Sequence, residues 1–214
     1  MSEIKENQKR ISIAGKQIYV LSWVSFTTSL LWICRSIFFL ALSQSSAQKC
    51  ITVLSVILFA FNFAFACGLF SLARQSKAFI FSGVFLILAS AADLLTWSST
   101  SNTGIFIIFY PVFILLMPVF IILLSKGMLK IVDYIKGNSY DQWTRYRNAL
   151  VFLYVARILC FVVVLAQLAS HFLEVTLACF AVLTLICNLL AFWQFFLLRD
   201  TAKQLKDYSK LTIE

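Results

Sequence analysis

Five polar side chains stand inside otherwise apolar stretches of this chain: Arg35, Asn62, Asp93, Arg157 and Asn188. Arg157 makes the strongest demand. It falls near the middle of NALVFLYVARILCFVVVLAQLAS, residues 148–170, a run long enough at ~1.5 Å per residue to cross a ~30 Å hydrocarbon layer. An arginine at that depth costs between ~2.5 and ~17 kcal/mol, depending on how far lipid and water adapt to it. Its guanidinium is badly placed to snorkel to either surface, so it must face other helices that supply hydrogen-bond acceptors.

Depth along the segments sorts the five residues into two layers. Asn62, Arg157 and Asn188 lie near mid-segment and can meet. Arg35 and Asp93 lie about five to seven residues from the outer ends of theirs and can form a second layer. Helical spacing puts Asp93 on one face with Ser82, Leu86, Ala89 and Ser90, and Asn188 with Ala181, Thr184 and Ala191. Asn62 aligns with Ser55 and Ala66, and Arg35 with Thr28 and Trp32. Small and hydroxylated neighbours of this kind mark helix-facing surfaces in membranes.

An Arg35–Asp93 pair satisfies both charges and leaves Arg157 as a surplus cation with only amides beside it. Two readings follow. In the first, Arg157 is the base of a site for a small anionic or amphiphilic ligand, with Asn62 and Asn188 beside it and Arg35 with Asp93 above. In the second, Arg157 bonds the two asparagines and carbonyls opened by proline kinks, and only holds the helices in register.

Weaker constellations carry less. Ala60, Ala64 and Gly68 form a small-residue ladder opposite Asn62, a surface for close approach of an internal helix or a partner subunit. His171 and Glu174 stand at i, i+3 but lack a third ligand, so a solvated interfacial pair is expected and no metal site. The six cysteines form no CxxC pair and five lie in apolar spans, Cys50 being the exposed exception; they read as small hydrophobes. The tryptophans at 23, 32, 97, 143 and 193 read as interfacial belts. No GxSxG, HExxH or phosphate-binding glycine loop is present, and no cofactor is implied.

The elements that must position these residues follow from composition. Of 214 residues 61% are hydrophobic and 13% charged, about half the charge fraction of a soluble domain. The expected fold is all-α: a polytopic bundle of six transmembrane helices near 18–42, 51–73, 78–98, 105–125, 148–170 and 174–198. Short connections at 43–50, 96–104 and 170–174 make it three antiparallel hairpins in series. The first span is too long, and lacks a small-residue cleavage site, for a signal peptide. Residues 1–17 are expected as a frayed or interfacial tail. Residues 199–214 form a second tail, whose repeat Leu198, Ala202, Leu205, Tyr208 suggests a helix along the membrane surface. The fourth segment carries Pro111 and Pro118 on one face and is expected to kink, then to continue as a helix to about Gly137.

Of the 18 Lys and Arg, 15 fall in the two tails and in the connections after the second and fourth segments; Lys49 alone falls on the other side. That asymmetry places both termini in the cytoplasm. The +9 charge is therefore orientation and contact with the lipid bilayer, not a nucleic-acid footprint. Arg35, Asn62 and Arg74 are echoed by Arg157, Asn188 and Arg199, which suggests a duplicated hairpin.

In length and helix count the chain resembles the membrane-embedded substrate-binding subunits of modular vitamin importers. It has fewer Gly and Pro than they do, 6 and 2, and carries its small-residue ladder on the second segment instead of the first. The expected function is a non-enzymatic cell-membrane protein, either a solute carrier or ligand-binding subunit, or an accessory subunit that docks a partner or a second copy through the ladder and the basic loop 126–147.

Overall fold

Six helices follow one another along the chain: α1 (Ser2–Ala41), α2 (Gln44–Ser71), α3 (Ala78–Ser98), α4 (Thr103–Tyr134), α5 (Tyr140–Ala166) and α6 (Leu173–Leu211). They come from a computed structural model, which describes residues 2–41, 44–98, 103–166 and 173–211. All six are long and apolar enough to span a membrane. Each packs on the next, and α6 packs back along α1, so the helices close a ring in chain order. Their outward faces are apolar. Val53 on α2, Phe81 on α3, Ile108 on α4, Phe152 on α5 and Val182 on α6 are all more than half exposed. Such a girdle suits a lipid-facing surface.

The start of α1, the α2–α3 turn, the α4–α5 turn and the end of α6 gather at one end, which we call the basic end. The turns there are stitched by backbone chemistry. Ser76 Oγ accepts the Ala78 N–H at 3.3 Å, capping the start of α3. The Ser139 carbonyl accepts the Trp143 N–H at 3.0 Å, and Asp141 sits in the first turn of α5, where the helix dipole favours a carboxylate.

The end of α4 is a Schellman motif: the Gly137 N–H reaches the Val132 carbonyl at 2.9 Å and the Lys136 N–H the Asp133 carbonyl at 3.0 Å. Lys136 takes the left-handed conformation (φ 51°) that glycine adopts without penalty. Lys136→Gly should therefore stabilise the fold by about 1 kcal/mol. Lys136→Val should destabilise it by a similar amount, and paired thermal melts in detergent would read both.

Neither end of the chain is a separate tail. α1 is 40 residues and α6 39, each about 60 Å at ~1.5 Å per residue, twice a hydrocarbon layer. Residues 2–17 are helical, with Ile11 and Ala14 buried; residues 199–211 continue α6, with Thr201, Ala202 and Leu205 buried. The physical reason is mutual: each tail has one apolar stripe, and ring closure gives each stripe the other to cover it. Gly15 makes the approach possible, since a Cβ there would stand 3.3 Å from the Leu205 Cβ. Residues 2–17, expected from composition as a frayed or interfacial tail, continue α1 as helix. α4 extends beyond the apolar run, as its periodicity suggested. α5 begins at Tyr140, earlier than residue 148, because Trp143 and Tyr146 are buried against α6.

Buried side chains form two clusters. One, toward the basic end, centres on Ile18, Leu69, Phe79, Leu124 and Trp143. The other, toward the far end, centres on Trp32, Leu58, Tyr110, Phe113 and Phe161. The buried charges lie in the second.

Candidate functional site: two buried arginines joined by stacked rings

Arg35 of α1 and Asp93 of α3 meet. Nη1 donates to Oδ2 at 2.6 Å and Nη2 to Oδ1 at 3.0 Å, the two-pronged geometry that suits a guanidinium and a carboxylate. Arg35 is 4% exposed and Asp93 3%. The remaining capacity is used locally: Ser55 of α2 accepts from Arg35 Nη1 at 3.0 Å, and the Trp97 indole N–H donates to Asp93 Oδ1 at 3.1 Å. The guanidinium carbon lies 4.1 Å from the Trp32 ring centroid and 5.2 Å from that of Trp97. Three helices are tied by this one group.

Arg157 of α5 is solved differently. Its Nε and Nη2 donate to the Tyr110 hydroxyl of α4 at 2.9 and 2.5 Å. Rings surround it: its guanidinium carbon stands 5.4 Å from the centroid of Tyr110, 5.7 Å from Phe113, 5.8 Å from Tyr154 and 5.5 Å from Phe180. It is 3% exposed, and no carboxylate among the described residues pairs with it. Aromatic faces stand where a counter-ion would, each contributing about 0.5–2 kcal/mol when desolvated.

The two arginines are not independent. Trp32 stacks on Phe113 across the ring of helices, centroids 5.4 Å apart and planes 16° from parallel. Arg35 lies over Trp32 and Arg157 over Phe113, so a cation–ring–ring–cation column runs from α1 to α5 through α4.

Several expected neighbours lie elsewhere. Asn188 is buried, but its Nδ2 donates to Ser36 Oγ of α1 at 2.9 Å and does not touch Arg157. It fastens the α1–α6 seam. Asn62 is 7% exposed and makes no side-chain hydrogen bond among the described residues. The mid-bundle layer of Arg157 with two asparagines is therefore not formed. Nor does Arg157 use carbonyls freed by the prolines: α4 runs as one helix through Pro111 and Pro118, and the phenol just before Pro111 takes their place. The two halves of the suspected hairpin repeat differ chemically: Arg35 has a carboxylate partner, Arg157 a phenol.

The small-residue ladder divides. Gly68 receives Leu21 of α1, and a Cβ there would collide with it. Ala60 and Ala64 are exposed and point away from the bundle. Tryptophans are not all a belt: Trp143 is fully buried and donates to Thr201 Oγ1 at 3.0 Å, while Trp32 is a stacking platform. His171 and the side chain of Glu174 lie outside the described residues.

Tyr110, Phe113 and Phe180 were missed as partners of Arg157. One signal existed. Tyr110 is a tyrosine inside an apolar span, and a buried hydroxyl needs a partner.

Arg35 Nη1 and Nη2, and Arg157 Nε and Nη2, all donate to protein acceptors. The arrangement joins α1, α2 and α3 through Arg35, and α4 and α5 through Arg157. Comparison with protein-family models, with curated proteins and with solved structures found no match to this chain.

Proposed function

We propose that this chain is a multi-pass membrane protein of the cell membrane, with both termini cytoplasmic, that works as an accessory or scaffolding subunit and not as an enzyme. One observation carries the reading: both buried arginines are enclosed by protein groups, Arg35 at 4% and Arg157 at 3% exposure, so both guanidinium groups are spent on helix register. The surfaces left for work are on the outside. Ala60 and Ala64 face outward on α2, where small side chains let another transmembrane helix approach closely. At the basic end Lys126, Lys130 and Arg145 are exposed, suited to an acidic partner face. The partner is a membrane subunit or a second copy.

The solute-carrier reading, with an anionic or amphiphilic ligand, is favoured by one feature: Arg157 lacks a carboxylate among the described residues. A thermal-shift screen of the purified chain separates the two. Under the accessory reading, no anionic solute produces a stabilisation that Arg157→Gln abolishes, while Ala60→Leu with Ala64→Leu alters association without lowering the melting temperature. A solute whose stabilisation vanishes in a folded Arg157→Gln variant would restore the carrier.

Orientation follows from the clustering of basic residues at one end. A membrane-impermeant thiol reagent applied outside intact cells should label the exposed Cys50 and should not label Tyr134→Cys, a position 61% exposed at the basic end. Labelling of the second and not the first would invert the topology.

A further inference from the structure

At the basic end, the seam between α1 and α6 opens into a groove of about 1230 Å³, larger than the ~300–1,000 Å³ usual for small-molecule sites. Its two walls change character at the same level. The antiparallel register is set by Gly15 against Leu205 and by Trp23 against Phe195, ring centroids 5.6 Å apart. Tyr19 and Val20 of α1 therefore stand level with Phe196 and Arg199 of α6. On the side of that level toward mid-bundle the lining is apolar: Tyr19, Val20, Trp193 and Phe196, with Val20 61% and Phe196 60% exposed. On the other side it is cationic: Lys16, Arg199, Lys203, Lys206 and Lys210. The four on α6 recur at i, i+4, i+7 and i+11, a single stripe.

These five cations face one carboxylate in the groove, Asp200, and that group already accepts from Gln204 Nε2 at 2.7 Å. None of the five has an ion-pair partner among the described residues. An apolar floor meeting an unneutralised cationic stripe complements one chemistry: an amphiphile whose head carries more than one negative charge. We propose that the groove is a binding site for an anionic phospholipid with a multiply charged headgroup, its phosphates among Lys16, Arg199, Lys203 and Lys206 and an acyl chain along Tyr19, Val20, Trp193 and Phe196. The change in wall character falls where the headgroup layer would lie if the apolar girdle is in lipid.

The site differs from the general attraction of a basic surface for anionic lipid. That attraction is screened beyond a Debye length, whereas a lipid seated by its chain as well as its phosphates resists salt.

The test uses the full chain in nanodiscs of phosphatidylcholine with or without diphosphatidylglycerol, scoring lipid retained after salt washing and detergent extraction. Wild type should retain diphosphatidylglycerol and melt higher with it. Neutralising one groove cation should weaken retention about fivefold, so Arg199→Gln/Lys203→Gln/Lys206→Gln should lose on the order of a hundredfold. Phe196→Ser, which leaves the charge intact, should also lose retention. Arg74→Gln/Lys77→Gln removes charge at the same end but outside the groove and should retain lipid as wild type does. Equal loss in that control would reduce the groove to a general basic field and overturn the proposal. Full stabilisation by inorganic phosphate alone would replace it with a free-phosphate site. Displacement of the lipid by soluble polyglutamate, with equal stabilisation, would replace it with an acidic-protein dock.

Discussion

Asp93→Asn is expected to lower the stability of the folded chain by about 3–5 kcal/mol, the largest effect of any single side-chain change considered for the bundle. The substitution keeps size and shape but removes the charge that faces Arg35 at 2.6 and 3.0 Å. Arg35 is 4% exposed and sits on α1 between Trp32 and Trp97, with only the Ser55 hydroxyl left as an acceptor besides the amide oxygen. It cannot reach water without unpacking three helices. Equilibrium unfolding in a fixed detergent would read the loss. Removing both charges should recover most of it, so Arg35→Met with Asp93→Leu should be more stable than Asp93→Asn alone. Exchanging the charges, Arg35→Asp with Asp93→Arg, should beat the sum of the two single changes but fall short of wild type. Ser55 and Trp32 are placed for a guanidinium on α1, and the Trp97 N–H for a carboxylate on α3. A wild-type melt for Asp93→Asn would mean that Arg35 finds water.

Tyr110→Phe is the second large effect, about 2–4 kcal/mol for one oxygen atom. That oxygen accepts two donors of Arg157, at 2.9 and 2.5 Å, and Arg157 has no carboxylate among the described residues. The ring remains in Tyr110→Phe, so the loss measures the hydroxyl and not the packing around it. Phe113→Leu should cost less in stability but should combine non-additively with changes to the Arg35–Asp93 pair, because its ring reaches Arg35 through Trp32. Thermal melts of Phe113→Leu combined with Asp93→Asn, compared with each alone, would show non-additivity if the column transmits strain.

These contacts were unequally legible in the amino-acid sequence, for physical reasons. The Arg35–Asp93 pair could be read because depth is a matter of counting residues, and two opposite charges at one depth in an apolar bundle have few alternatives. The partner of Arg157 could not be read that way. Counting fixes how deep a residue lies but not which way its helix faces, and Asn62 and Asn188 share the depth while facing other seams. Tyr110 was hidden among 7 tyrosines and 22 phenylalanines, and residue type alone does not separate those on the lipid-facing surface from those in the core. Helix existence was plain from composition; helix length was not. Ile11, Ala14 and Ile18 repeat at helical spacing, as do Leu198, Ala202 and Leu205, but neither stripe names its cover. Ring closure supplies it, and closure is a property of all six helices together. Ala60 and Ala64 teach the converse: a small-residue ladder signals that a close approach is possible, and only the structure shows that Gly68 is used internally while the alanines face out.

If the buried cations serve the fold and not a solute, a double-mutant cycle between Arg157 and Tyr110 shows it most directly. Unfolding free energies would be measured for wild type, Arg157→Met, Tyr110→Phe and the double variant in one detergent. If Arg157 is a structural group satisfied by the Tyr110 hydroxyl, Tyr110→Phe loses about 2–4 kcal/mol and the double variant regains most of that loss. If Tyr110→Phe unfolds as wild type does and the two changes simply add, Arg157 is satisfied by water or a bound solute. The enclosed core argued for here would then be wrong.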